Sequence, residues 1–127
     1  MAQILIMIKP WAHNQGYSIL NILDNHGRRV KSANLNEASL EDIAEHYRIY
    51  EKDGFFNAMV QDFVGEPLFI AVYEGDQKKF NNLKSEIRQI YDGSIPKHPV
   101  HERNSIHISD NQDQFEREYS VWKEYLK

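Results

Sequence analysis

Asn104-Ser105-Ile106-His107-Ile108-Ser109-Asp110, with Glu118 eleven residues beyond the histidine, is the stretch on which both fold and chemistry turn. Side chains alternate between the faces of a strand. Ile106 and Ile108 are therefore predicted to face a core, with Ser105, His107 and Ser109 on the polar side. Ser109 followed by Gln112 reads as a capping box that opens a helix close to the imidazole. The apolar stripe of that helix is Phe115, Tyr119, Trp122 and Leu126, and Glu118 falls at its margin, within reach of the imidazole. A nucleophile with an orienting base is the pattern of covalent catalysis. Taken alone, the same residues read more readily as a hydrogen-bonded histidine beside a solvated acid.

Upstream, strand and helix signals interleave. Ile4–Ile8 is a short apolar run of the kind found in strands covered on both faces, ended by Pro10. Tyr17–His26 carries Ile19, Leu20 and Leu23 on one helical stripe, and Gly27 is predicted to be the left-handed residue that stops it. Arg29–Leu35 reads as a strand. Ser39 with Asp42 caps a helix whose stripe is Leu40, Ile43, Ala44 and Tyr47. Phe55–Val64 is a further short helix, Pro67–Tyr73 a third strand, and Gln77–Tyr91 a helix with Phe80, Leu83, Ile87 and Ile90 at helical spacing. Gly93, Pro96 and Pro99 exclude regular structure between Asp92 and Glu102. Interleaved strands and helices require helices packed on a sheet. Two split strand-helix-strand units give one α/β (α+β) domain over residues 1–127, a ferredoxin-like antiparallel four-stranded sheet with helices packed on it.

Composition narrows the classes of function. A chain of 127 residues, 41% hydrophobic and 27% charged, supports one domain and not comfortably two. A net charge of −4 gives no general attraction to nucleic acid, so no specific nucleic-acid partner is expected. The absence of cysteine excludes disulfides and thiolate metal sites. No apolar run reaches membrane-spanning length and no signal-peptide layout opens the chain, so a cytoplasmic protein with no membrane partner is expected. Neither a Walker-type phosphate loop nor a dinucleotide-binding glycine fingerprint occurs. His98, His101 and Glu102 are close in sequence, but their irregular setting between Pro96 and Pro99 lacks the one-face geometry of a metal site.

Ile8-Lys9-Pro10, His46-Tyr47, Phe55-Phe56, Tyr73-Glu74-Gly75, the run from Arg103 to Asp110, and Glu118-Tyr119-Ser120-Val121-Trp122 follow the order and most of the spacings of one family. The chain resembles the nucleoside diphosphate kinases from nearly one end to the other. The resemblance implies transfer of the terminal phosphate of a nucleoside triphosphate to a nucleoside diphosphate, by a ping-pong mechanism through phospho-His107, with Mg²⁺ bound through the nucleotide phosphates. It implies catalytic roles for four residues. His107 is the nucleophile, Glu118 takes a proton from the other ring nitrogen, Ser109 braces that contact, and Lys9 reaches phosphate or a sugar hydroxyl. Tyr47 matches a phosphate-holding tyrosine, Phe56 the aromatic on which the base stacks, and Asn104 the asparagine that bonds the ribose, while Phe55 is left to core packing. Read without the resemblance, Tyr47 and Phe56 are core residues, Lys9 a snorkelling surface lysine and Asn104 a turn residue.

The chain also departs from that family. Its members carry Gly-Thr-Ile-Arg ahead of the histidine, whereas here Gly93-Ser94-Ile95 is followed by Pro96. Ser94 keeps a nucleotide-binding position and the arginine is lost, with Lys97, Lys84 and Arg88 the candidate replacements. A second family arginine falls at Leu83 or Lys84, or one turn further at Arg88, and Lys84 and Arg88 form one basic edge. Ile108 stands where the family usually has glycine. The shortened loop implies a homo-oligomer less stable than the usual hexamer. Two rivals stand beside the kinase reading. A non-catalytic nucleotide-binding or assembly subunit asks for none of Lys9, Asn104, His107 and Glu118, and a histidine phosphocarrier serving a protein acceptor does not need Phe56 or Asn104.

Overall fold

β1 (Ala2–Ile8) is buried from Ile4 to Ile8, and the other elements are arranged around it in the computed structural model, which describes residues 1–127. It pairs antiparallel with β3 (Leu68–Gly75) along its length and with β4 (Ile106–Ile108) through Ile6 and Ile108, Met7 and His107, and Ile8 and Ile106. β2 (Gly27–Leu35) joins the far side of β3, giving the antiparallel order β2-β3-β1-β4. The expected ferredoxin-like sheet is the one observed. Ile4, Ile6 and Ile8 pack with Ile19 and Leu23 of α1 (Gly16–Asp24) and with Phe80, Leu83 and Ile87 of α4 (Gln77–Tyr91). Leu5 and Met7 point the other way, to α2 (Leu40–His46), α3 (Phe56–Phe63) and α5 (Gln112–Trp122). With helices on both faces, the central strand needs apolar residues at consecutive positions, which is why β1 reads as a continuous run. No helix is long and apolar enough to cross a membrane.

The caps are local chemistry, and one lies elsewhere than the sequence suggested. Ser39 accepts the Asp42 N–H at 3.2 Å, as its spacing predicts. Ser109 caps nothing. Its Oγ accepts the Leu5 N–H at 2.9 Å and its own N–H donates to Leu5 O at 2.9 Å, so it continues the β4 edge of the sheet. Asn111 caps α5 instead, accepting the Gln114 N–H at 2.8 Å. Gly27 does not stop α1 through a left-handed backbone; Gly65, with φ 78°, is the one residue of that kind. Gly27 opens β2, and close approach is its reason: a Cβ there would lie 2.7 Å from Phe80 Cζ and 2.9 Å from Glu74 O.

Between α4 and β4 the chain makes one 3-10 turn at Asp92–Ser94 and is otherwise irregular. Anchors hold it. The Arg103 guanidinium donates through Nε and Nη2 to the two Asp62 oxygens, both at 2.8 Å, and through Nη1 to Pro96 O at 2.9 Å. It also lies 5.1 Å over the Trp11 ring. His101 Nε2 is 2.8 Å from Asp62 Oδ2, and His98 stands beside it with ring centroids 4.5 Å apart. The histidines of this segment therefore gather on Asp62, with Glu102 joining only through its backbone carbonyl, 3.1 Å from His101 Nδ1.

Gly27→Ala is expected to destabilise the protein by about 1–3 kcal/mol, since the clash involves a buried ring and a backbone oxygen. Urea unfolding checks it. Phe80→Leu in the same chain should recover part of the loss if the ring is the obstacle.

Candidate active site

Pairing with Met7 fixes the face on which His107 stands, towards α2 and α5. Its Nε2 lies 2.8 Å from Glu118 Oε1. Glu118 is 1% exposed, so it sits inside the buried stripe of α5, between Phe115 and Trp122, rather than at its margin. His107 Nδ1 makes no hydrogen bond within the protein, and the ring lines a cavity of about 400 Å³. Lys9, Arg88 and Asn104 supply polar lining, Tyr47, Tyr50, Phe55 and Met59 aromatic and apolar lining, and the connection before β4 adds Val100, His101 and Glu102.

Charge is arranged around a neutral ring. Burial, and then the nearby cations Lys9, Lys84 and Arg88, push His107 down to about 3. Burial raises Glu118 to about 7, although His46 and Arg117 pull against it. An ionised Glu118 accepts the Nε2 proton and leaves a lone pair on Nδ1. A protonated Glu118 donates to Nε2 instead, and the ring proton then occupies Nδ1. Lys9 is 7% exposed and has no hydrogen-bond partner for its ammonium in the protein. Burial, and then Arg88, lower it to about 7, against the opposing pull of Asp92 and Glu102.

The other expected residues divide. Tyr47 is buried with its hydroxyl 4.0 Å from Met7 Sδ, and burial raises that hydroxyl above its ordinary range. Arg88 donates from Nε and Nη2 to Ile106 O at 3.2 and 3.0 Å. Asn104, with its amide nitrogen toward two carboxylates, donates to Asp92 Oδ2 at 3.2 Å and Glu102 Oε1 at 3.3 Å, which turns its oxygen the other way. Lys84 does not line the cavity; its ammonium closes on Asp110 and reaches Ile108 O at 3.5 Å. Leu83 is core. Ser94 donates to Tyr91 O at 3.0 Å at an exposed helix end, and Lys97 lines a separate concavity beside His98. Ser109 Oγ accepts the Leu5 N–H and makes no hydrogen bond to His107 or Glu118. Phe56 is outside the lining and Phe55 within it. The two are successive residues at the start of α3, so their side chains are turned about 100° apart.

The sequence points to Phe56 for this site, whereas Phe55 lines the cavity, and it does not mark Tyr50, Met59 or Glu102 as part of the lining. Glu102 stands out in the sequence through its nearness to His98 and His101 and its adjacency to Arg103 and Asn104, and Tyr50 by following Tyr47 one helical turn on.

The raised Glu118 has a stability consequence. Its folded value of about 7 exceeds its ordinary 4.5, so the folded state holds the extra proton between those pH values. Stability is therefore lost as pH rises through that window. Glu118→Gln removes the cost and should stabilise the protein at pH 8 by about 1–3 kcal/mol, with the difference fading towards pH 4.5. Thermal melts across pH measure it.

Residues 2–125 match the family model described as nucleoside diphosphate kinase. The chain is 27% identical over 136 residues to a nucleoside diphosphate kinase of Rhodococcus jostii, an alignment covering 96% of this chain and 94% of that one. To the enzyme of the same description from Clostridium perfringens it is 24% identical over 131 residues, covering 93% and 88%. Among solved structures, the Aquifex aeolicus nucleoside diphosphate kinase superposes with a TM-score of 0.75 at 21% identity, covering 94% of this chain and 92% of that one. A nucleoside diphosphate kinase family protein from Babesia bovis gives 0.72 at 20% identity, covering 100% and 93%. These likenesses share the observed fold, and the family model spans almost all of it; the chain belongs to the nucleoside diphosphate kinase family.

Proposed function

We propose that the protein transfers the terminal phosphate of a nucleoside triphosphate to a nucleoside diphosphate in two half-reactions at His107. The observation that carries this reading is the 2.8 Å contact of His107 Nε2 with buried Glu118, which leaves Nδ1 unpartnered beside a cationic cavity wall. Nδ1 attacks the terminal phosphorus, the N–P bond forms, and the bond to the diphosphate leaving oxygen breaks. The Nε2 proton stays shared with Glu118. A neutral nucleophile has no proton to shed, so no further base is needed. The second half-reaction is the reverse, with a different diphosphate in the same cavity.

Lys9 and Arg88 offset the phosphate charge, and a bound polyanion restores the ammonium of Lys9 to its charged form. Tyr47 offers a hydroxyl from the same wall, while Asn104 presents an oxygen suited to a ribose hydroxyl. Phe55 takes the base-stacking role first given to Phe56, and stacking reads a π-face common to every base. The wall offers two cations and a single carboxylate, Glu102. That donor set fits Mg²⁺ carried on the nucleotide phosphates, where it offsets their charge, and not a cage of protein ligands. On the same reading the enzyme is a cytoplasmic homo-oligomer.

Incubation with Mg-ATP should add one phosphate to the chain as an acid-labile, alkali-stable adduct that a diphosphate discharges, as read by intact mass. His107→Ala should take up none; full transfer activity in that variant would defeat the mechanism. Phe55→Ala should raise the nucleotide KM about five- to fiftyfold and Phe56→Ala less than about threefold, since one stacked base contributes about 1–3 kcal/mol. The reverse order in steady-state kinetics would return the stacking role to Phe56.

A further inference from the structure

His46 ends α2 and is 2% exposed, its ring packed between those of His107 and Trp122 at centroid distances of 5.0 and 5.9 Å. Trp122 Nε1–H donates to His46 Nδ1 at 2.9 Å. An indole nitrogen only donates, so Nδ1 carries a lone pair. Burial, and then the neighbouring His107, hold the ring neutral, down at about 3. The single ring proton is therefore on Nε2. That buried N–H has no hydrogen-bond partner, and it faces Glu118 Oε2 at 4.0 Å. The other oxygen of the same carboxylate holds His107.

We propose that His46 is a positioning residue, which donates a hydrogen bond from Nε2–H to Glu118 Oε2 during phosphoryl transfer and so keeps His107 in the tautomer whose Nδ1 is the nucleophile. The proposal deepens the kinase reading and rests on it. A shift of about 1 Å in the Glu118 carboxylate brings the contact into hydrogen-bond range. The demand for that shift arises in the reaction. As Nδ1 binds phosphorus the ring gains positive charge, and a fully ionised carboxylate opposite Nε2 stabilises it. No bond is made or broken at His46, which keeps its proton throughout.

The other charges around the pair are placed differently. Arg117, on the same helix as Glu118, has Nη2 3.7 Å from Oε2, but its side chain is 36% exposed and solvent-screened. Asp110 ahead of α5, Lys84 of α4 and His46 of α2 also act on Glu118, which in turn acts on the Tyr47 hydroxyl. Lys9 beyond β1, Lys84 and Arg88 of α4, and Asp110 act on His107. Of these groups, His46 alone holds a buried proton without a partner and faces the carboxylate.

The test follows the Glu118 carboxyl by ¹³C NMR titration, together with the pH profile of single-turnover phosphorylation by Mg-ATP, in the wild type, His46→Phe, His46→Gln and Trp122→Phe. His46→Phe should move the Glu118 titration up by about one pH unit, slow phosphorylation about tenfold at pH 6.5, and leave ATP affinity unchanged. The rate should recover at pH 8.5. His46→Gln, which keeps an N–H, should restore part of the shift. Trp122→Phe, which frees Nδ1 to compete for the proton, should reproduce part of it and decides the matter with His46→Gln if His46→Phe does not fold. Titrations that superimpose, or a slowing equal at every pH, overturn the proposal. The titration needs no nucleotide, so a wild type that takes no phosphate on His107 removes the kinase reading while the His46–Glu118 coupling is still measured.

Discussion

The contact between His107 Nε2 and Glu118 Oε1 sets terms for everything around it. A carboxylate that is 1% exposed needs partners fixed before any ligand arrives. Its helix is held by Phe115 one turn before and Trp122 one turn after, both in the core beneath the sheet, and by the Asn111 cap where the helix begins. The opposite side of the contact hangs on a strand of three residues, whose register places His107 beside Met7. A slip of one residue would carry His107 into the apolar cluster of Ile19 and Phe80 and turn Ile106 and Ile108 into the polar cavity. Register here is enforced by packing on one side and by the buried acid on the other.

Such a site works against stability. Lys9, His46 and Glu118 are all buried, and each has its titration displaced in the direction that burial dictates for its charge type. Two apolar clusters, one on each face of the sheet, carry the fold despite them. A subunit retained only for assembly gains by replacing a buried, unpartnered ammonium with an apolar residue of similar length, because nothing in packing asks for the charge. Lys9, kept where its charge is costly, is the argument for chemistry that composition could not make.

The sequence was most informative where one physical demand acted alone. Consecutive apolar residues in β1, the amphipathic span of α4 and the Ser39 cap each follow from a single rule, and each is found where its pattern lies. Where two demands competed, the pattern did not say which would prevail. Ser109 suits a helix cap, but the ladder beyond β4 claimed it and Asn111 served as cap. Phe55 and Phe56 have the same chemistry and both pack against the core, and only the direction of entry into α3 brings Phe55, and not Phe56, to the cavity. Lys84 and Arg88 share a helix edge, and Asp110, a residue distant in sequence, takes the first of them. His46 is legible in the sequence only as part of the His46-Tyr47 pair, since the indole and the carboxylate beside its ring are contributed by another helix.

The connection ahead of β4 shows how the cavity is closed without the arginine that the family pattern places there. Its path is held from outside by Arg103 on Asp62 and from inside by Asp92, whose Oδ1 accepts the Ser105 N–H at 2.8 Å. Pro96, where the pattern has a cation, gives its carbonyl to Arg103 and so belongs to the anchor. The cation that does line the cavity, Arg88, comes from α4 and has Nε and Nη2 on the Ile106 carbonyl, one residue before His107. A guanidinium held in this way has spent Nε–H and one hydrogen of Nη2 on the carbonyl, and it keeps the end-on pair of Nη1 and Nη2 hydrogens for an anion in the cavity. Its position is correspondingly firm. Because the same carbonyl belongs to the strand that carries His107, the distance between the Arg88 guanidinium and the imidazole is set by the sheet and not by a loop.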